Sequence, residues 1–372
     1  MHFPFLVHAT TAFSFLLKKA AAARTFPPSR GYGSHHWREK GFLRLHAEHG
    51  SPAFERSGSP ARAAHPPEPT RVFLVGCERS GTTLLQSLLA AHADIHSVPE
   101  THFVKRLFQS DRLPKRIVRR GWVRRTLRAA HAWRRDAIAR IGWIARRDAV
   151  AAWRAVDGDA RRPASFWSRH SAYAHMRSFV DAMDADCRRA QKGTWLEKTP
   201  AHLHYADLIR LHVPGARFIH IVRDGREVVA SLNRLAKVYP EWRPYTDVAL
   251  AVDRWNRSWH ATQRWVGHRD HLVVRYETLL RAPRRTLAAI LRFLDCNPGY
   301  DSWNVYPQLA YRLIRADEPW KAGNLHGMRD CRKFATAFDP VTQSEILGAL
   351  EQPDWGSLSS APGVVADDTA HE

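Results

Sequence analysis

The amino-acid sequence predicts an α/β fold with a mostly parallel central sheet and helices on both of its faces. Two short runs, residues 71–75 and 218–222, are rich in β-branched and aromatic residues and have the length of buried parallel strands. Each run is followed by a turn and then by apolar residues at helical spacing, from Thr82 and from about Arg226. Alternation of buried strands and helices is typical of a parallel sheet that helices cover on both sides.

Further elements extend this pattern along the middle of the chain. Residues 272–276 form a third strand-like run with a helix after it, and residues 193–196 form a shorter one just before Glu197. The 372 residues are 44% apolar and include 14 tryptophans, which is ample for a buried core and excludes global disorder. We therefore expect one folded domain over residues 70–355.

Both ends of the chain lack a periodic pattern. Residues 3–17 are apolar, but a membrane span needs about 20 residues, and the first lysines follow this run instead of preceding it. We expect residues 1–69 to be a poorly ordered leader and linker, with a signal or membrane anchor as the alternative. Residues 356–372 are rich in Gly, Ser, Ala and Asp and are expected to be a flexible tail.

The charge balance points to anionic partners. The formal net charge is +21 and the pI is about 10.5, a field that attracts nucleic acid, anionic lipid or a phosphorylated small molecule. The four cysteines are far apart and form no CxxC pair, which argues against a zinc site and against a disulfide-rich secreted fold. The cysteine pattern therefore favours a cytoplasmic protein. The 22 histidines are also scattered, so we expect no metal site.

An arginine-rich stretch interrupts the predicted domain at about residues 112–157. Arginines alternate there with tryptophan and aliphatic residues, which predicts inserted helices with one apolar and one cationic side. The cationic side is either a solvated face over a hydrophobic lid or a docking surface. In the second case its partner is an anionic membrane surface, reached as a peripheral protein, or an acidic acceptor.

The turn after the first predicted strand is a phosphate-binding loop. Residues 76–83 have the spacing of the Walker pattern GxxxxGK[ST] as far as Gly81, but Thr82 stands where the lysine belongs. This predicts a three-layer fold like that of the P-loop NTPases, without the lysine that neutralises the β- and γ-phosphates of ATP. A donor with one 5′-phosphate needs a smaller site, made by backbone N–H groups, the Arg79 charge and the hydroxyls of Ser80, Thr82 and Thr83.

The same loop, Arg79-Ser80-Gly81-Thr82-Thr83, resembles the 5′-phosphosulfate loop of the sulfotransferases that use 3′-phosphoadenosine 5′-phosphosulfate (PAPS), in which the pattern is [KR]-S-G-T-T. Their second signature, for the 3′-phosphate, is an arginine at the end of a strand and a serine eight residues later. Arg223 and Ser231 fit that spacing. The resemblance runs from about residue 71 to 295 and is greatest in motif style to bacterial and tyrosylprotein members. It implies that PAPS is the co-substrate and that no metal is required.

The resemblance also implies catalytic residues. The segment 97–103 is similar to one whose glutamate is the general base, which makes Glu100 the candidate, with His102 as its rival. Glu100 could take a hydroxyl proton if burial raised its pKa, whereas the ordinary pKa of a histidine already suits that task. Glu197-Lys198-Thr199-Pro200 is similar to the family's E-K-T-P segment, which implies that Lys198, together with Arg79, stabilises charge on the transferring group or the leaving phosphate.

The acceptor is not specified by these motifs. A small molecule, a glycan or a lipid, with a hydroxyl or an amine, would use the same donor site. The alternative interpretation of the loop at residues 76–83 is a P-loop nucleotide kinase or NTPase. It has no RRM, KH or zinc-finger signature, so we expect no specific binding of nucleic acid.

Overall fold

The computed structural model describes residues 68–108, 171–299, 306–314, 318, 320–321 and 333–366. All of these lie in one compact unit, Ala64–Glu372. The basic insertion predicted at about 112–157 falls outside the described residues, as do residues 1–67 of the predicted leader.

The centre of the structure is a six-stranded sheet in the order β2-β3-β1-β4-β5-β6, and every neighbouring pair in it is parallel. From β1 the chain goes to the edge strand β2, returns to β3 beside β1, and then adds β4, β5 and β6 on the other side of β1. The prediction of an α/β fold with a parallel sheet is confirmed. The strands are β1 (Thr70–Gly76), β2 (Ile95–Ser97), β3 (Thr194–Lys198), β4 (Arg217–Val222), β5 (His271–Arg275) and β6 (Val364–Val365).

Helices follow the strands and cover the sheet. They are α1 (Thr82–Ala90), α2 (Phe103–Phe108), α3 (Ala172–Arg189), α4 (Ala206–His212), α5 (Gly225–Ala236), α6 (Val248–Gln263), α7 (Tyr276–Arg281), α8 (Pro283–Phe293), α9 (Tyr306–Leu313), α10 (Phe334–Ala337), α11 (Pro340–Ala349) and α12 (Trp355–Ser359). Two 3₁₀ segments, Pro200–Tyr205 and Pro240–Thr246, complete the described elements.

The alternation of side chains along β1 separates two apolar layers. Phe73 and Val75 face one layer with α3 and α4, whereas Val72 and Leu74 face the other with α1 and α8. All four of these side chains are fully buried, as a central parallel strand requires. This burial on both faces fixes the register of β1 and, with it, the position of the loop at its carboxyl end.

The expected flexible tail from residue 356 is wrong for residues 356–366. Helix α12 continues to Ser359, and β6 then pairs with β5 at the edge of the sheet. Gly363 makes this possible, because its φ is 72° and its carbonyl accepts a hydrogen bond of 2.8 Å from the N–H of Val273. A strand of two residues has no periodicity, so sequence patterns cannot reveal it. Residues 367–372 lie outside the described residues.

A buried pair of histidines joins β4 to β5. His220 Nε2 and His271 Nδ1 are 2.8 Å apart, and the His271 ring is stacked between Phe218 and Trp265. Burial lowers the pKa of His220 to about 3 and, with the neighbouring His220, that of His271 to about 2. Both rings are therefore neutral at pH 7.

None of the described helices is long and apolar enough to cross a membrane.

Candidate active site

The loop between β1 and α1 forms the first half of the site. Gly81 ends it with a φ of 93°, and a Cβ atom there would lie 2.4 Å from Cε2 of Tyr276, so only glycine fits. Arg79 also has a positive φ, 75°, which is uncommon for a residue with a side chain. These two residues turn the chain sharply so that the first amides of α1 and the side chain of Arg79 lie at the carboxyl edge of the sheet.

Arg79 and Arg223 come together at this edge. Arg223, directly after β4, donates from Nη1 to the backbone oxygen of Arg79 at 3.4 Å, and Arg79 donates from Nε to Ser231 Oγ at 3.2 Å. Burial and the nearby charge of Arg223 lower the pKa of Arg79 to about 10. Among the described residues, no carboxylate lies within ion-pair distance of Arg79. This is an arrangement that an anion would stabilise.

Two hydroxyl groups of the loop fit the same kind of ligand. Thr82 and Thr83 line the same cavity as Arg79, and α1 carries no acidic residue in its first turn. The side chain of Ser80 is buried, and among the described residues its Oγ has no hydrogen-bond partner, but Ser80 lines a separate small cavity with Trp255 and Ser258. The first amides of α1, two threonine hydroxyls and a buried arginine are what a phosphate group needs.

Ser231 lies two turns into α5, yet its contact with Arg79 shows that the helix runs back toward the loop. Arg223 lies over the ring of Tyr276, with its Cζ 4.8 Å from the ring centroid, and its Nη2 is 3.7 Å from Glu227. The carboxylate of Glu227 also accepts from the backbone N–H groups of Lys333 and Phe334. The guanidinium of Arg223 is therefore held in place by both an ion pair and an aromatic ring.

A cavity of about 250 Å³ joins this loop to the predicted catalytic residues. It brings together Arg79, Gly81, Thr82, Thr83, Glu100 and Arg223 of the predicted set. Of the other three, Lys198 and Ser231 contact residues that line it, whereas Ser80 lines a separate small cavity. Arg223 also lines a second recess of about 660 Å³, which carries both charges and an apolar wall and is lined, among others, by Asp224, Arg226, Glu227, Arg275, Glu277, Leu280, Arg281 and Phe334.

Glu100 is buried between two lysines. Its Oε1 accepts hydrogen bonds from Nζ of Lys198 and, at 2.5 Å, from Nζ of Lys321, while Oε2 is 3.4 Å from Nε2 of His102. Burial alone would raise the pKa of Glu100, but the charges of Lys198 and Lys321 outweigh it and lower the pKa to about 2. The condition named for Glu100 as a base, a pKa raised by burial, is therefore not met in this structure. Burial lowers the pKa of His102 to about 4, despite the nearby charge of Glu100.

Lys198 is fully buried at the end of β3, where its Nζ also donates to Thr83 Oγ1 at 3.3 Å. It links the candidate base to the phosphate loop. Burial lowers the pKa of this lysine even though Glu100 opposes the effect.

Three side chains at the site offer ligand atoms at metal-binding distances. The atoms of Glu100, His102 and Glu318 lie within 4.8 Å of one another. Nζ of Lys321 contacts both carboxylates, at 2.5 Å from each, and so supplies the positive charge between them. This arrangement does not need a metal ion for its charge balance.

Several functional contacts were not anticipated from the sequence. Lys321 and Glu318 reach Glu100 from more than 200 residues away, and no local pattern marks them. Arg254 of α6 donates from Nε to Oε2 of Glu78 at 2.7 Å and so fixes the phosphate loop from the side. Tyr276, directly after β5, packs beneath Gly81 and Arg223.

Comparison with known proteins finds sulfotransferases. The protein-tyrosine sulfotransferase of Drosophila melanogaster is 24% identical over 228 residues, a match that covers 60% of this chain and 38% of that protein. Two solved structures are the sulfotransferase domain of the Synechococcus PCC 7002 olefin synthase, 21% identical with a TM-score of 0.39, and that of the curacin biosynthetic pathway, 17% identical with a TM-score of 0.42. They cover 79% and 77% of this chain, and 99% of each domain is matched. A model of the sulfotransferase family matches residues 69–301, well over half of the sequence, and the chain therefore belongs to the sulfotransferase family.

Proposed function

We propose that this protein transfers a sulfuryl group from PAPS to a hydroxyl or amine of a small-molecule, glycan or lipid acceptor. The observation that carries the proposal is the juxtaposition of Arg79 and Arg223 in one cavity with Glu100. The guanidinium groups of Arg79 and Arg223 lie at one end of the cavity, and that of Arg79 has no carboxylate partner among the described residues. At the other end the buried carboxylate of Glu100 lies between two lysines. The charges suit an anionic donor next to a proton acceptor.

The donor site is inferred from the groups that meet at the carboxyl edge of the sheet. The loop amides, Thr82, Thr83 and Arg79 would hold the 5′-phosphosulfate, and Arg223 with Ser231 would hold the 3′-phosphate. Arg223 lines both this cavity and the second recess. We infer that the nucleoside extends past Arg223 into that recess, which offers arginine side chains and an apolar wall.

The chemistry would depend on position and charge, as in phosphoryl transfer. Lys198 lies between Thr83 and Glu100 and would stabilise the negative charge that develops on the leaving phosphate. Glu100 would accept the proton of the acceptor. An anion that draws Lys198 away would leave Glu100 with only Lys321, and its affinity for a proton would rise. His102, which is neutral at pH 7, is the alternative base.

Calorimetric titration with 3′-phosphoadenosine 5′-phosphate (PAP), the desulfated product, tests the donor site. Wild-type protein should bind PAP, and Arg79→Ala and Arg223→Ala should each weaken binding by about 10- to 100-fold, since each removes a charge-assisted contact of roughly 1.5–3 kcal/mol. Arg269→Ala is the control, because this arginine is 92% exposed. Absence of PAP binding by the wild type would refute the proposal.

Transfer itself is tested with radiolabelled PAPS and a panel of phenols, sugars, aliphatic alcohols and lipids. Formation of a labelled product identifies the acceptor class. The kinase alternative is not favoured by the family match, and magnesium-dependent ATP turnover without a response to PAPS would be needed to support it. Cytoplasmic location and contact of the 112–157 segment with an anionic membrane remain predictions, and flotation with phosphatidylserine vesicles tests the contact.

A further inference from the structure

A buried carboxylate lies behind the segment that carries both candidate bases. Glu197 of β3 is fully buried and does not line the cavity. Its Oε1 accepts hydrogen bonds from Thr101 Oγ1 and Thr199 Oγ1, both at 2.7 Å, and from the N–H of Thr101 at 3.3 Å. Its Oε2 is 2.9 Å from Nδ1 of His202. Four contacts therefore compensate the burial of this charge.

The two threonines extend this network to the backbone of the catalytic segment. Thr199 Oγ1 accepts from the N–H of His102 at 3.1 Å, and Thr101 Oγ1 accepts from the N–H of Phe103 at 3.2 Å. Together with the hydrogen bond from the N–H of Thr101 to Glu197, three successive backbone N–H groups donate to this cluster of side chains. His102 has a φ of 51°. Residues other than glycine rarely adopt this conformation, and it persists only where the surroundings hold it.

Strand β3 holds the segment from both sides. Successive side chains of a strand point to opposite faces, so Glu197 and Lys198 diverge. Lys198 contacts the side chain of Glu100, whereas Glu197 holds the backbone that follows it. A buried charged cluster adds little stability compared with apolar packing of the same volume. This favours a role for the Glu197 cluster in positioning the segment at residues 101–103.

Glu197 does not line the cavity, so it acts on the reaction through the groups it holds and through its charge, which opposes the effect of burial on the pKa of His102. We propose that Glu197, Thr101 and Thr199 form a positioning network that fixes Glu100 and His102 in the geometry needed for proton transfer. This inference rests on the proposed sulfotransferase function. The donor site around Arg79 and Arg223 is built from other elements and should not depend on the network.

Matched substitutions at Thr101 test it. Thr101→Val keeps the shape but removes the hydroxyl, and Thr101→Ser keeps the hydroxyl. With PAPS and the acceptor that the panel identifies, Thr101→Val should lower kcat by about 10- to 100-fold, as small displacements of reacting groups do. The KM for PAPS and the calorimetric affinity for PAP should stay within about two-fold of wild type. Thr101→Ser should restore most of kcat.

A second measurement does not require turnover. Amide hydrogen exchange at residues 101–103 should become faster in Thr101→Val and in Glu197→Gln, while exchange at residues 76–83 stays unchanged. If Thr101→Val does not fold, Thr199→Val and Thr199→Ser provide the same comparison. Wild-type kcat in the valine variants, or an equal loss of kcat and PAP affinity, would overturn the inference. If wild-type protein fails to bind PAP, the proposed function fails first, and hydrogen exchange alone decides whether the network holds the segment.

Discussion

Replacing Lys321 by methionine should strengthen Glu100 as a base, because it removes one of the two ammonium groups that hold the pKa of this carboxyl near 2. Methionine has a similar length and no charge. Two unit charges about 4 Å apart attract each other by roughly 4 kcal/mol at an effective dielectric constant of about 20. Loss of that attraction should raise the proton affinity of Glu100 by about three orders of magnitude, at 1.4 kcal/mol for each factor of ten.

Carbon-13 NMR titration of glutamate side-chain carboxyls measures this change directly, with Glu100→Gln to assign the resonance. In the wild type the Glu100 signal should stay that of a carboxylate down to the acid limit of the folded protein. In Lys321→Met it should titrate at clearly higher pH. Lys237→Met is the control, since Lys237 is exposed on the surface. A Glu100 titration in Lys321→Met identical to that of the wild type would refute the argument from the ion pair.

Three further outcomes follow from the same contacts. Glu100→Gln should preserve PAP affinity but slow turnover by at least about 100-fold, and His102→Gln should have the smaller effect; the reverse order would make His102 the base. Gly81→Ala should abolish PAP binding measured by calorimetry, because the added Cβ cannot fit beneath the loop. The buried pair His220 and His271 should make folding acid-sensitive. Their folded pKa values lie below the ordinary 6.5, so the unfolded chain binds protons first, and stability falls by about 1.4 kcal/mol per histidine for each pH unit below about 6.5. Urea titrations at pH 7 and 5.5 should show this loss, and a His220→Leu, His271→Phe variant should lose less.

Local patterns and the family resemblance were sufficient to predict which residues meet at the carboxyl edge of the sheet. The strand predicted at residues 71–75 is found as β1, and the loop has glycines at positions 76 and 81, where an added Cβ would lie 2.5 Å and 2.4 Å from a neighbouring atom. Arg223 and Ser231 were predicted from the family signature, and they reach the loop because β4 is the parallel neighbour of β1. Each of these features depends on residues close in sequence or on the order of strands, which patterns of β-branched and helical residues can reveal.

The ionisation of the site could not be predicted in this way. Whether burial raises or lowers the pKa of Glu100 depends on which charges the fold brings near it, and Lys198 and Lys321 are 98 and 221 residues away in sequence. The same is true of the ion pair between Glu78 and Arg254, 176 residues apart. Strand β6 was missed for another reason, since its pairing depends on the conformation of a single glycine.

The charged groups of the described site are paired unevenly. Glu100 is paired twice, whereas Arg79 has no carboxylate partner among the residues that the structure describes. An anion that enters the loop would relieve the repulsion between Arg79 and Arg223 and would compete with Glu100 for Lys198, which lies within reach of both. Donor binding would then also activate the base, because the Lys198 ammonium that moves away from Glu100 is the one that stabilises the leaving phosphate. Without the donor, Glu100 would stay a weak base, and an acceptor that arrived first would find only the neutral ring of His102 to take its proton.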